Sequence, residues 1–492
     1  MTELVLPLVE AFNLLVLVYF GLINTVYGAI TVQAVRALGR YVPSLGTFSA
    51  LEPTLIAAAP PITVFAPAYN EEATCVESVR SLLALDYPEH EILVVNDGSS
   101  DGTLARLKEA FDLVPGVRAR TAQIPTARVR GLYSSRLHPN LWVLDKENGG
   151  KADALNAAVN HCVTPLFCAM DADSLLERDA LMRIVRPFLE DATTVAAGGM
   201  IRVANSCKLK GGVITEVRLP KSRLARFQVL EYLRAFLVGR VGWTSANASL
   251  VISGAFGLFK RLTVVGAGGY ASRFTLGETV GEDMELVVRL KRHCQESGTP
   301  CRIAFVPDAV AWTEVPEDLR TLGRQRDRWQ RGLYESLVRH RQMLFNPRYG
   351  FTGMIAFPHF FFLEMVGPII EVLGYGTFAL SLVMGWAVSG YVIVFFLMAV
   401  VLGALTSLVA VALEEYAFHR YLRMRDVLSL FLLAVGENFG YRQLTVFWRF
   451  RGMWKLLRGQ ADWGRMQRKG FDAEPTARLP QKTQAPASPI EV

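Results

Sequence analysis

Apolar residues run almost unbroken from about residue 4 to residue 35, with no charge after Glu10. Such a run is long enough to span a bilayer. It lacks the basic start and small-residue cleavage site of a signal peptide. Residues 41–60, with their Pro and Ala content, read as a linker. The pattern then changes to short apolar runs alternating with amphipathic stretches. Strands are predicted at 62–66, 91–96, 141–144 and 165–170. Helices are predicted at 71–85, 103–111 and 151–162, the first with Asn70 as its N-cap. This alternation predicts an α/β domain over 61–345 with a parallel sheet, whose ligands bind at the carboxyl ends of the strands.

Apolar character returns after about residue 350. Residues 365–388 and 391–413 are candidate spans, within a region of interfacial and transmembrane helices at 346–450. The aromatic-rich stretch 351–362 suits the membrane interface. Residues 427–447 are interrupted by Glu437, Asn438 and Arg442. Arg36 and Arg40 follow the first span, and Arg420, Arg423 and Arg425 follow the last, so the positive-inside rule places the α/β domain and that loop in the cytoplasm. The basic segment 451–471 belongs on the same side, so 427–447 is expected to re-enter or lie in the interface. The Pro- and Ala-rich residues 472–492 read as disordered. The expected location is the inner (plasma) membrane, multi-pass.

The 492 residues are 51% hydrophobic with a formal net charge of +7. Mean hydropathy is +0.26, high for a soluble chain. The basic residues flank apolar segments, which fits anionic membrane lipid and argues against nucleic acid. The six cysteines show no CxxC spacing, which argues against zinc and fits a reducing compartment.

The strongest local signal is Asp171-Ala172-Asp173, directly after an apolar strand. Two carboxylates two residues apart at a strand end can project to one point, and such ligands suit Mg2+ or Mn2+. A divalent ion bridging them to a pyrophosphate stabilises charge on a departing nucleotide. The alternative is a polar turn with a capping Asp. Asp97 ends another apolar strand, placed for a base or ribose, or for an ordinary Asp-Gly turn. Asn148-Gly149-Gly150-Lys151 opens a helix, where the helix N-terminus and a Lys favour phosphate. Asp283, in Gly281-Glu282-Asp283, is a candidate general base for a sugar hydroxyl, or with Glu282 it favours a helix N-terminus. On a helix Gln325, Arg328 and Trp329 share one face. Arg can clamp pyrophosphate and an indole offers a platform for a sugar ring; a basic interfacial helix is the alternative. Glu364 and Glu371, seven residues apart, share a helix face and can line a polar path for an acceptor polymer.

In order, Pro67-Ala68-Tyr69-Asn70-Glu71, Asn96-Asp97-Gly98-Ser99, Lys151, Asp171-Ala172-Asp173, Gly281-Glu282-Asp283 and Gln325…Arg328-Trp329 resemble inverting family 2 glycosyltransferases. The nearest group is the processive membrane synthases of cellulose, hyaluronan, chitin and poly-N-acetylglucosamine. The resemblance implies an α/β GT-A glycosyltransferase domain, with a Rossmann-like mixed sheet, inserted between transmembrane α-helices. It implies that Pro67, Tyr69, Glu71 and Asp97 serve the uridine site and that Lys151 holds the UDP. Asp171 and Asp173 would bind UDP through Mg2+ or Mn2+, and Asp283 would be the base. Gln325, Arg328 and Trp329 would close the site, with Trp329 under the acceptor sugar. Phe256, in the segment 253–261, resembles an acceptor-side residue.

The implied activity is transfer of a hexose or N-acetylhexosamine from a UDP-sugar to a growing polysaccharide. The implied partners are that donor, the polymer, membrane lipid and accessory export or regulatory subunits. Single-sugar transfer to a lipid carrier is one alternative, and a catalytically silent receptor or assembly subunit is another. Gly281 departs from the cellulose synthases, which usually have Thr there. The tail is shorter than a cyclic-dinucleotide-binding domain, so control of that kind is expected from another subunit. Residues 206–221 read as an insertion without an assigned role.

Overall fold

The computed structural model describes residues 2–210, 212–386 and 388–459. Among them the strands are β1 (Ile62–Ala68), β2 (His90–Asp97), β3 (Leu113–Pro115), β4 (Val129–Ser135), β5 (Leu141–Lys146), β6 (Leu166–Ala169), β7 (Ser174–Leu176), β8 (Thr194–Val203), β9 (Lys208–Lys210), β10 (Val213–Glu216), β11 (Gly257–Lys260) and β12 (Arg302–Thr313). Ten of these form one sheet in the order β3-β4-β5-β2-β1-β6-β11-β8-β12-β7. Strands β5, β2, β1 and β6 run parallel. Strand β11 enters antiparallel between β6 and β8, and β12 lies parallel to β8. The sheet is therefore mixed, as the resemblance implied.

Every residue of β1 except Pro67 is buried, and β8 is buried throughout. Such continuous apolar strands need cover on both faces. On one face the rings of Phe65, Phe167 and Phe259, from β1, β6 and β11, stack with centroids 4.6 and 5.4 Å apart. The helix Lys151–His161 packs there through Ala154, Leu155 and Ala158. This fixes the carboxyl ends of β1, β2, β5 and β6 along one edge of the sheet.

Several sequence-based expectations change. The segment read as a linker continues the first helix, which runs Thr2–Ala58. Tyr41 donates a hydrogen bond to Asp308 and Phe48 lies 4.8 Å from the Arg186 guanidinium, so docking on the domain holds this stretch. The helix expected from residue 71 begins at Cys75. Asn70 is not its cap: it adopts a φ of 56°, a conformation Asn tolerates, and its side-chain oxygen accepts from the Ser100 N–H at 2.8 Å. The insertion at 206–221 contains a β9–β10 hairpin whose Gly212 lies against Ser81.

Two helices are long and apolar enough to cross a membrane, Leu6–Phe48 and Ser389–Ala417. A third candidate is the bent pair Thr352–Met365 and Gly367–Val383, which meet at 42°. The stretch expected to be interfacial thus forms half of this bent unit, broken where Gly367-Pro368 interrupts the hydrogen-bond ladder. Residues 427–447 are divided between the helices Met424–Gly436 and Tyr441–Leu457. Gly440, at φ 108°, makes the break. The basic residues Arg465, Arg468 and Lys469 and the stretch 472–492 lie outside the described residues.

Candidate active site

Strand β6 ends at Ala169, and Asp171 and Asp173 occupy the turn leading into β7. The helix carrying Lys151 starts after Gly149-Gly150, where Gly150 has a φ of 86°, a conformation that favours glycine. Lys151 Nζ consequently lies 2.5 Å from Asp171 Oδ1 and 3.1 Å from Glu282 Oε1. Glu282 and Asp283 begin the helix Glu282–Glu296, an end whose dipole favours acids. Asp283 Oδ2 accepts from the Gly254 N–H at 3.0 Å. A Cβ on Gly254 would stand 3.0 Å from Lys151 Nζ and 3.3 Å from Asp283 Oδ2, so a side chain there would push the two apart. Lys151, Ile252, Ser253, Gly254, Glu282 and Asp283 line one small cavity. Segments distant in sequence thus meet at the carboxyl edge of the sheet.

Burial by itself would lower the Lys151 pKa, but the charges of Asp171 and then Glu282 outweigh it and raise it above the ordinary lysine value. Burial pushes the Glu282 carboxyl up, against the pull of Lys151. Asp171 and Asp173 offer two carboxylates on one turn. Among the described residues no group of three or more His, Cys, Asp or Glu forms a metal site. That donor set fits a divalent ion that takes further ligands from a diphosphate.

Asp97, expected at the uridine site, is a buried side chain at the end of β2 whose oxygens accept from neighbouring protein groups. Lys146 Nζ donates to it at 2.5 Å, and the Gly149 and Gly150 N–H groups donate at 3.0 and 2.8 Å. Lys146 also lies 2.6 Å from Asp153, and all three are buried. The triad shapes the turn that aims Lys151. Lys146 was missed because a Lys at a strand end reads as solvated; its place opposite Asp97 is set by the register of β5 beside β2, which no local pattern reveals.

Phe256 is also corrected. Its side chain is fully buried, and its ring packs on Gly199 so closely that a Cβ there would meet it at 2.2 Å. It belongs to the core of the sheet, not to an acceptor surface. Tyr69 stands exposed at the end of β1, with Pro67 half-buried before it. Glu71 accepts from the Thr74 hydroxyl at 2.8 Å.

Gln325, Arg328 and Trp329 lie together on the helix Leu319–Arg339. This helix reaches the site through Gly332, since a Cβ on Gly281 would lie 2.8 Å from Gly332 Cα. Glu335 secures the contact, accepting from the Thr279 hydroxyl at 2.7 Å and the Val280 N–H at 3.0 Å. The glycine at 281 follows from this approach. Trp329 is 44% exposed, and the buried Arg326 guanidinium sits 4.2 Å from its ring while donating to Glu231 at 2.8 Å. Sequence reasoning missed Arg326, although its i,i+3 spacing to Trp329 was visible. Glu364 accepts from Tyr27 and, at 3.0 Å, from Arg449, and Glu371 accepts from Tyr19 at 2.5 Å.

Residues 60–332 match the family described as "Glycosyltransferase like family 2". The chain belongs to that family. The matched stretch contains Tyr69, Lys151, Asp171, Asp173, Asp283 and Trp329. The chain is 30% identical over 283 residues to a poly-beta-1,6-N-acetyl-D-glucosamine synthase of Staphylococcus aureus, an alignment spanning 56% of each protein. It is 28% identical over 274 residues to the synthase of that name from Staphylococcus epidermidis, covering 55% of this family 2 chain and 54% of the other. The chain thus spans about half the length of the curated relatives it matches. A mannosyltransferase from Pyrobaculum calidifontis, solved with GDP-Man and Mn2+, superimposes with a TM-score of 0.50 at 18% identity. It covers 89% of this chain and 100% of its own, which establishes the fold.

Proposed function

We propose that this family 2 protein is an inverting glycosyltransferase that transfers a sugar from a UDP-sugar to a growing polysaccharide beside a membrane. The observation that carries the reading is the Lys151 ammonium joining Asp171 to Glu282, with Asp283 in the same cavity. Donor-side and acceptor-side motifs thereby share one place. The Staphylococcus relatives favour N-acetylglucosamine as the sugar.

Asp171 and Asp173 would hold Mg2+ or Mn2+, which supplies positive charge to the departing diphosphate. Lys151, held charged by its acidic neighbours, binds the phosphates beside them. The Asp283 carboxylate takes the proton of the acceptor hydroxyl as its oxygen attacks the anomeric carbon from the face opposite UDP. The C1–O bond to UDP breaks as the new glycosidic bond forms, with inversion. Trp329 supports the acceptor ring and Gln325 and Arg328 close over the donor. Tyr69 and Glu71 border the uridine at the end of β1. The apolar helices supply a multi-pass anchor, with the catalytic domain cytoplasmic by the positive-inside argument. The half-buried acids Glu364 and Glu371 would line the exit of the polymer, with membrane lipid and accessory subunits as further partners.

The test is incubation of the detergent-purified chain with a panel of UDP-sugars and Mn2+ or Mg2+, followed by mass analysis. A ladder of polymer from one donor is expected. A single added sugar on lipid would replace the polymerase reading, and no transfer from any donor would overturn it.

A further inference from the structure

The apolar helix that ends at Ala417 is bolted to the α/β domain. Its last turn carries Glu414, which accepts from Nη1 and Nη2 of Arg202 on β8 at 2.8 and 2.9 Å, with both side chains buried. Residues 418–423 then join this helix to Met424–Gly436. Arg420 and Arg423 in that loop each hold an element that borders the turn Asp171-Ala172-Asp173. Arg420 donates to both oxygens of Glu177, at 2.9 and 3.0 Å, a fork that fixes direction as well as distance. Glu177 also accepts from the Trp312 indole N–H at 3.1 Å, and its own N–H donates to the Val310 carbonyl at 3.0 Å. Only β7 separates Glu177 from Asp173. That strand is wholly buried and pairs antiparallel with β12. The Ser174 N–H closes the turn by donating to the Asp171 carbonyl at 3.1 Å. A close-packed strand of three residues transmits a shift of one end to the other.

Arg423 reaches the same turn from the other side, through the insertion at 206–221. It donates at 3.0 Å to Glu216 on β10, which Lys208 and Arg218 also meet. At the far end of the hairpin Gly212, with a φ of 76°, brings its backbone against the helix Cys75–Leu83: a Cβ there would stand 2.8 Å from Ser81 Cβ. One turn earlier on that helix the Ser78 hydroxyl donates to the Ala172 carbonyl at 3.4 Å. The hairpin thus props the helix that touches the metal-motif turn. The two arms differ in strength. The Arg423 and Glu216 side chains are 50% and 34% exposed, and pairs of that kind are weak and screened by salt. Arg420 and Glu177 are 26% and 19% exposed and joined by two bonds, so this arm carries more.

We infer that Arg420 is a positioning residue for the donor site: by clamping Glu177 it holds the 171–173 turn so that Asp171 and Asp173 can share one divalent cation with the UDP diphosphate. The inference rests on the proposed nucleotide-sugar reaction and adds what sets its metal affinity, the seating of the helix Ser389–Ala417 on the edge of the sheet. Groups that orient metal ligands without touching the metal change its affinity about ten- to a hundred-fold. Lys151, Glu282 and Asp283 lie on other elements and are outside the clamp.

The experiment uses the full chain in detergent. Mn2+ is titrated with UDP present and followed by the fall of its free-ion EPR signal, and UDP is titrated separately without metal. Arg420→Met is expected to weaken Mn2+ binding about ten-fold or more, with metal-free UDP binding within about two-fold of the wild type. Arg420→Lys keeps the charge but not the fork and is expected to recover part of the loss. Glu177→Met is expected to match Arg420→Met, and the two together to lose no more than either alone, because they remove one interaction. Arg423→Met is expected to cost at most about five-fold. Wild-type Mn2+ affinity in a folded Arg420→Met protein overturns the inference. So does an equal loss of Mn2+ and metal-free UDP binding, which marks general damage, and so do additive losses in the double variant. Where melting shows that Arg420→Met does not fold, Arg420→Lys decides: weakened Mn2+ binding with intact metal-free UDP binding supports the inference, and unchanged Mn2+ binding overturns it. Each of these failures leaves the functional reading standing. Wild-type protein that binds no Mn2+ in the presence of UDP overturns that reading's donor site and this inference with it.

Discussion

Gly281→Ala isolates the contact that brings the Trp329 helix to the acid at 283. The added Cβ would lie 2.8 Å from Gly332 Cα and 3.0 Å from its carbonyl carbon and oxygen. These are backbone atoms, so no side-chain rotation relieves the clash. Restoring the ordinary 3.4 Å separation requires the helix to retreat by about 0.6 Å. Overpacking of this kind costs about 1–3 kcal/mol, and the Glu335 hydrogen bonds to Thr279 and Val280 resist the movement. Misplacement on that scale costs up to about 100-fold in rate, because the reacting groups leave their attack geometry. The donor groups Lys151 and Asp171 lie on other elements and are spared. Initial rates with a saturating UDP-sugar, UDP titration and thermal melting together separate the effects. The expected result is a kcat lowered about ten- to a hundred-fold with unchanged UDP affinity. Wild-type kcat in Gly281→Ala would refute the claim that the Gly281–Gly332 approach positions the acceptor helix.

Lys146→Met leaves Asp97 and Asp153 buried without their cation, which costs about 3–5 kcal/mol; a depressed melting temperature with weakened UDP binding is expected, since Asp97 orients the Gly149–Gly150 turn. Phe256→Ala is expected to cost about 3–5 kcal/mol of stability by opening a core cavity, with acceptor KM in the surviving folded fraction unchanged. Glu285, although burial raises its pKa, is held down to about 2 by His340 and Arg289. Since the folded value lies below the unfolded value of about 4.3, its stabilisation is complete above that pH and is lost as pH falls towards 2. Melting curves between about pH 6 and pH 3 should therefore show a smaller acid destabilisation in Glu285→Gln than in the wild type.

Much of the α/β core was legible because β1, β2, β5 and β6 are continuous apolar runs separated by amphipathic helices. The carboxyl-edge location of Lys151, Asp171 and Asp173 followed from that order. What stayed hidden depends on contacts between distant segments. The helix through 41–58 is held by Tyr41 and Phe48 meeting Asp308 and Arg186, none of which a local pattern reveals. At Asp97 the sequence shows only a strand-end Asp; the register of β2 beside β5 adds Lys146 and the Gly149–Gly150 N–H groups as its partners. Phe256 followed a motif by sequence position, while its burial depends on Gly199 across the sheet. β8 and β12 went unread because Gly198-Gly199 in the one and Pro307-Asp308 in the other interrupt their apolar runs with turn-forming residues.

The central claim is that Asp283 performs the proton transfer in a cavity whose donor side is built separately by Lys151 and Asp171. The direct measurement is Asp283→Asn, assayed for UDP binding by titration and for transfer with the active UDP-sugar. The account predicts transfer lowered at least about 100-fold, with the UDP dissociation constant within about two-fold of the wild type. Undiminished polymer synthesis by this variant, or equal loss of UDP binding and transfer, would contradict it.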